Sequence, residues 1–326
     1  MAEELSALRA RVFAVHPPAG SSAPGGGAFP FEASLLWSSK AASEADARAS
    51  GGLPLLLVPH GGPHAAFTTG WSPHHAFLAA QGVAVLAVNF RGSTGYGEEA
   101  LASLPGRVGA ADVADCMAAL GAALARPADG APLLDAARVA VSGGSHGGFL
   151  AAHLVGQATT RTAFRAAVLR NPVTDISAMA GATDIPDWCW TEALGVAAGE
   201  PPPALTPAHL AAMHACSPMA HVANVRVCGD GGHHATPVLL MLGMKDRRVP
   251  PSQGLAWWHA LRAVCWGAGG AGERGVPDTH ARMLIFPEDT HALDAPATEA
   301  DAWVHIALWL AAHLGERAPA GAAIEA

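Results

Sequence analysis

The sequence predicts an open, mostly parallel sheet of eight strands with helices on both faces. Short apolar runs recur along the chain, Ala- and Leu-rich stretches with helical spacing separate them, and the later runs are continuous rather than alternating. Strands joined by crossover helices produce the first two features. Strands covered on both faces produce the third.

In chain order, RVFAV (11–15) and FEASLLW (31–37) are the first two strands, and PPAGSSAPGGGA (17–28) between them reads as a linker. LPLLLVP (53–59) and VAVLAVNF (83–90) follow, with a helix expected near 71–81. A helix near 109–126 leads to RVAVS (138–142), and another near 147–156 leads to FRAAVLRN (164–171). The stretch 174–235 is Pro-rich without a clear strand, which predicts a helical excursion over the carboxyl edge of the sheet, where open α/β sheets carry selectivity. TPVLLMLG (236–243) and ARMLIFP (281–287) complete the sheet, with helices near 252–266 and 298–314. Thr298, three residues before Asp301, is the expected cap of the last helix. The expected organisation is a lead-in and linker over 1–28, one domain over 29–315 and an unstructured tail over 316–326, with GAGGAGERG (267–275) as a surface insertion.

A chain of 326 residues that is 51% hydrophobic and 14% charged can bury a large core and lies far from the composition of disorder. Its formal net charge of -8 excludes nucleic acid as the main partner, because phosphate binding needs clustered Lys and Arg. The five cysteines are scattered and form no C-x-x-C pair, which argues against a disulfide framework or structural zinc and for a reducing, cytoplasmic setting. MAEELSALRARVF does not read as a secretory signal, and no apolar run reaches membrane-spanning length, so no membrane association is expected. A homo-oligomer is compatible with this composition.

RVAVSGGSHGGFLAAHL contains G-x-S-x-G at Gly143, Ser145 and Gly147. The motif alone is weak, and its context strengthens it. An apolar strand runs into it and a helix of small residues leaves it, so Ser145 is expected on a tight strand-to-helix turn with its hydroxyl above the sheet edge. The bland reading is a Gly-rich turn that packs closely or cradles a phosphate.

A serine hydroxyl needs an imidazole to take its proton, and the imidazole needs a carboxylate to fix its tautomer. In the α/β-hydrolase fold the order along the chain is Ser, acid, His. Asp246 follows one late strand and His291 follows the next, which places both on the rim that carries Ser145. Asp175 is a rival acid, and Asp289 is too near His291 in sequence to be preferred. For the oxyanion, the backbone N–H of His146 and the N–H of Gly62 in PHGGPH are the expected donors; a turn needing Gly and Pro for shape alone is the competing reading. The pairs His74-His75 and His233-His234 have no metal-ligand spacing, so neither a metal nor a cofactor is expected.

In order along the chain, PHGGPH, NFRGSTGYG, SLPGRVGAADV, GGSHGGF, RNPVTDISAM, TDIPDWCW, MLGMKDRRVP and DTHAL resemble the catalytic domain of acylaminoacyl-peptidases, within the prolyl oligopeptidase group of serine peptidases. The resemblance covers about 10–315 and implies the α/β-hydrolase fold, with Ser145 as nucleophile, Asp246 as acid and His291 as base. It further implies that Arg248 holds substrate carbonyls, with Arg247 able to share that role, and that the substrates are short N-acylated, typically N-acetylated, peptides. Members carry a β-propeller before the hydrolase domain, and none is expected here; GDGG (229–232) reads as an insertion relative to the family. Two other readings keep the fold: a carboxylesterase opened by the lack of a propeller, and an inactive hydrolase-like partner subunit. A dipeptidyl-peptidase is disfavoured, because its acidic recognition segment is not visible.

Overall fold

The computed structural model describes residues 6–18, 29–40, 51–125, 133–157, 160, 164–197, 199–200, 203–225, 236–268 and 280–315. Strands β1 (Leu8–Val15), β2 (Phe31–Ser38), β3 (Leu53–Pro59), β4 (Ala84–Asn89), β5 (Leu134–Gly144), β6 (Ala166–Arg170), β7 (Val238–Gly243) and β8 (Ala281–Phe286) form one sheet in the order β1-β2-β4-β3-β5-β6-β7-β8. The β1–β2 and β2–β4 pairs are antiparallel. Every other pair is parallel, so β3 and β5 to β8 all end on one rim.

Alternate residues of the central strands face opposite ways, yet both faces are apolar. Leu55 and Leu57 of β3 join Val139, Val141, Ala167, Leu169, Leu240 and Leu242 in one core, together with Phe149 and Trp257. Leu56 joins Ala140, Val168, Leu239 and Met241 in the other, together with Ile306, Trp309 and Leu310. The first core lies under helices α3 (Ala111–Leu124), α4 (His146–Gly156) and α8 (Ser252–Ala268); the second lies under α1 (Pro73–Ala80) and α9 (Pro296–Leu314). Each fully buried Leu contributes about 1.5–3 kcal/mol, which is why the runs are continuous.

The expected excursion is helical over its described part: α5 (Ile176–Met179), α6 (Pro186–Leu194), α7 (Pro207–Ala215) and a 3-10 helix (Pro218–Asn224). Residues 226–235, and with them GDGG and His233-His234, lie outside the described residues, as do 19–28, 269–279 and the tail from 316. Several details differ from expectation, among them these. Strand β5 begins four residues before RVAVS, because Leu134 pairs with Leu53 across a register shift. A short helix α2 (Glu98–Ala102) follows β4, too short for a periodic signal. Thr298 does not cap α9; Pro296 starts the helix, since its fixed φ suits the first helical position.

Candidate active site

Ser145 sits between β5 and α4 with φ 59° and ψ -123°, a region that non-glycine residues rarely occupy. Such a conformation costs about 1–3 kcal/mol, and the surroundings hold it there. The Ser145 N–H donates to the Arg170 carbonyl at 3.0 Å, and the Ser145 carbonyl accepts from Phe149 N at 3.0 Å. The flanking glycines are required by close approach: a Cβ on Gly143 would stand 2.0 Å from the Gly147 carbonyl oxygen, and one on Gly147 would stand 2.4 Å from that of Pro59.

Asp246 and His291 come together on the same rim. His291 Nδ1 donates to Asp246 Oδ2 at 2.6 Å, and Asp246 Oδ1 accepts from the backbone N–H groups of Arg248 and Val249, both at 2.9 Å. The Asp246 side chain is fully buried, whereas that of His291 is 29% exposed and lies towards the cavities. With its proton on Nδ1, a neutral His291 leaves Nε2 free to accept. Ser145 and His291 together wall two cavities, one of about 930 Å³ and one of about 550 Å³.

The rival acids are engaged elsewhere. Asp175 caps α5, accepting from Ser177 N at 3.0 Å, and its other oxygen stands 3.1 Å from His214 Nδ1. Asp289 accepts from the next backbone N–H, that of Thr290, at 2.8 Å.

The turn at 60–63 lies against the serine: a Cβ on Gly61 would stand 3.4 Å from Ser145 Cβ. His60 Nδ1 donates to the Gly61 carbonyl at 2.7 Å. Burial lowers the His60 pKa to about 4, so the ring is neutral at pH 7, and its other nitrogen stands 2.7 Å from Ser93 Oγ. A planar trans peptide points its N–H opposite its C=O, so this contact turns the Gly62 N–H away from His60. Trp188 Nε1 donates to the Gly62 carbonyl at 2.9 Å, tying the excursion to the turn. His146 opens α4, where a backbone N–H has no partner within the helix. Its ring is fully buried, with Nε2 3.0 Å from Asp112 Oδ2.

Arg248 lines the larger cavity and donates from Nε to Asp184 Oδ1 at 2.8 Å; Arg247 lines neither cavity. The walls of the larger cavity include Val173, Met179, Trp188, Val196 and Val249, with Glu192 and His64 on its edge. His64 donates from Nδ1 to the Gly92 carbonyl at 2.8 Å, and its Nε2 stands 3.1 Å from Glu192 Oε1. The Glu192 hydrogen bond is the main reason its pKa is raised.

Two contributors, the first residues of RNPVTDISAM, were not singled out as site residues from the sequence. Asn171, at φ 40°, donates to the carbonyls of Thr290 (3.2 Å) and His291 (2.9 Å) and accepts from Gly243 N (2.8 Å). It thereby clips the acid loop to the histidine loop, and its place just after a strand in RNP was the available hint. Arg170 reads in sequence as the end of a strand, and it lines the smaller cavity.

Among the described residues no group of three or more His, Cys, Asp or Glu is placed to hold a metal ion, and no helix is long and apolar enough to cross a membrane. His74 instead faces Glu299 Oε1 at 2.8 Å and stacks on Trp303.

A mostly parallel eight-stranded sheet with a serine on a strained turn from β5 into α4 is the architecture of the α/β hydrolases. The prolyl oligopeptidase family profile matches residues 70–317, and the chain belongs to that family. It is 40% identical over 314 residues to the acylamino-acid-releasing enzyme of Mus musculus, covering 96% of this chain and 38% of that protein. It is 43% identical over 265 residues to acylamino-acid-releasing enzyme 2 of Oryza sativa subsp. japonica, covering 80% of this chain and 30% of that one. The chain therefore spans well under half the length of these relatives. The acylaminoacyl peptidase of Pyrococcus horikoshii superposes with a TM-score of 0.75 at 18% identity, over 98% of this chain and 44% of its own, which shows a shared fold.

Proposed function

We propose that this chain is a serine peptidase that releases an N-acyl, typically N-acetyl, amino acid from the blocked end of short peptides. The observation that carries the reading is the His291–Asp246 hydrogen bond of 2.6 Å beside a strained Ser145 that shares both cavities with His291. The similarity to acylamino-acid-releasing enzymes supports the substrate class.

In the proposed mechanism Ser145 Oγ attacks the first peptide carbonyl while His291 Nε2 takes its proton, and Asp246 stabilises the imidazolium through Nδ1–H. The carbonyl oxygen becomes an oxyanion held by the N–H groups of His146 and Gly62; each such donor contributes about 10²–10³ in rate. Collapse breaks the C–N bond, His291 gives its proton to the leaving amine, and an acyl ester on Ser145 remains. Water then attacks that ester with His291 as base, releasing the acyl-amino acid and restoring the serine. The acyl-amino acid occupies the larger, largely apolar cavity, where Arg248 holds a substrate carbonyl.

Turnover of an N-acetyl-alanyl peptide and of a simple aryl acetate, measured side by side, tests the assignment. Efficient peptide cleavage is expected. Negligible peptide cleavage beside brisk ester cleavage would make the chain an esterase instead.

A further inference from the structure

The smaller cavity differs in charge from the larger one. Glu98, Asp187 and Glu192 stand on the walls of the larger cavity, whereas among the described residues no carboxylate lines the smaller and Arg170 is its only Lys or Arg. His60 and His75 also line the smaller cavity, and burial lowers the pKa of each to about 4, leaving them neutral at pH 7.

The Arg170 guanidinium is held in place by packing rather than by a hydrogen-bonded carboxylate among the described residues. It packs 5.3 Å from the centre of the Trp303 ring, and a Cβ on Gly144 would stand 3.3 Å from one of its terminal nitrogens. Among the described residues it makes no hydrogen bond or ion pair through its side chain. The carboxylate whose charge acts on it is that of Glu299, which is bonded to His74 at 2.8 Å. Arg170, whose guanidinium carries five donors, thus lines a cavity that is also lined by Ser145 and His291. The Arg170 carbonyl fixes the Ser145 N–H, so the cation lies immediately beside the nucleophile's turn.

From this geometry we infer that the smaller cavity is the leaving-group site, and that Arg170 binds the free C-terminal carboxylate of a leaving group of one or two residues. The inference rests on the peptidase reading above. On the acyl side Arg248 already serves a substrate carbonyl in the larger cavity, and an N-acylated amino acid carries no free carboxylate until it is released, so a second guanidinium in the other cavity points to the leaving side of the scissile bond. A short leaving peptide carries a free carboxylate, and a planar fork matches a carboxylate in two parallel hydrogen bonds. A cavity of about 550 Å³ lies within the size range of small-ligand sites. The substrate class is thereby narrowed to N-acyl di- and tripeptides with a free acid end.

The test compares N-acetyl-alanyl-alanine with its C-terminal amide. The free acid is expected to have the higher kcat/KM by about 10- to 100-fold, the range of a charged hydrogen bond. In R170M the ratio of the two values is expected to fall towards one, and R170K, which keeps the charge without the fork, should lie between. Calorimetric binding of dialanine and dialanine amide gives a second readout that does not depend on turnover: the wild-type protein should prefer the acid, and R170M should not. Cleavage of both peptides with a wild-type ratio near one, or a ratio unchanged in R170M, would overturn the inference while leaving the peptidase reading intact. If neither peptide is cleaved, the peptidase reading fails, and equal binding of acid and amide then overturns the inference as well. Should R170M not fold, the wild-type preference and R170K decide.

Discussion

Asp246→Asn changes one atom and is expected to lower kcat by about 10⁴-fold, the scale seen when a triad acid becomes an amide. The structure fixes which way the amide would sit. Oδ1 of Asp246 accepts from Arg248 N and Val249 N, both at 2.9 Å, so the asparagine oxygen has to stay there; an NH₂ group would face two donors. The NH₂ then points at His291 Nδ1, now 2.6 Å from the carboxylate. To accept from it, the neutral imidazole must carry its proton on Nε2, and the base towards Ser145 is lost. Four decades in rate correspond to about 5.4 kcal/mol of transition-state stabilisation. The assay is kcat on N-acetyl-alanyl 4-nitroanilide at neutral pH, with thermal melts showing that the fold survives. A variant within tenfold of the wild type would refute the reasoning, because the tautomer would then not matter.

Other perturbations probe separate parts of the structure. Gly143→Ala places a Cβ 2.0 Å from a backbone oxygen and should cost about 4–5 kcal/mol in urea unfolding together with all turnover; a well-folded, active variant would show that the turn is not constrained as described. Asp115→Ala removes the buried carboxylate to which Arg91 Nε and Nη2 both donate at 2.7 Å, and should destabilise the fold by about 3–5 kcal/mol; a loss below 1 kcal/mol would contradict this. His64 has its pKa raised by Glu192, so the stability from this pair is fully present below about pH 6.5 and fades as pH rises through the higher folded value. The melting-temperature gap between wild type and Glu192→Gln should accordingly shrink above pH 6.5, and a gap that widens with pH would oppose the assignment.

The sheet was legible because its central strands bury both faces, which leaves continuous runs such as LPLLLVP. Where a boundary depended on a partner, the sequence was silent. Leu134 extends β5 only because Leu53 lies opposite, and nothing local to LDAA announces a strand. Thr298 and Asp301 mimicked a cap, but the stiff ring of Pro296 acts earlier in the chain. Of the candidate site, Asp246 and His291 could be placed from the ends of their strands, and the structure joins them. Arg248 does line a cavity, while His146 puts its ring into the core beside Asp112. The supporting contacts were not legible. The Trp188 bond to Gly62 spans 126 positions and the Asn171 clip spans 120, and such pairings follow from topology, not from spacing.

Intact-mass measurement after exposure to a fluorophosphonate probe tests the central claim most directly, since only a serine made nucleophilic by its neighbours reacts at a useful rate. A single adduct on Ser145 is predicted, absent in Ser145→Ala and strongly slowed in His291→Ala. No adduct on the folded protein, or one that forms equally well in both variants, would contradict the account.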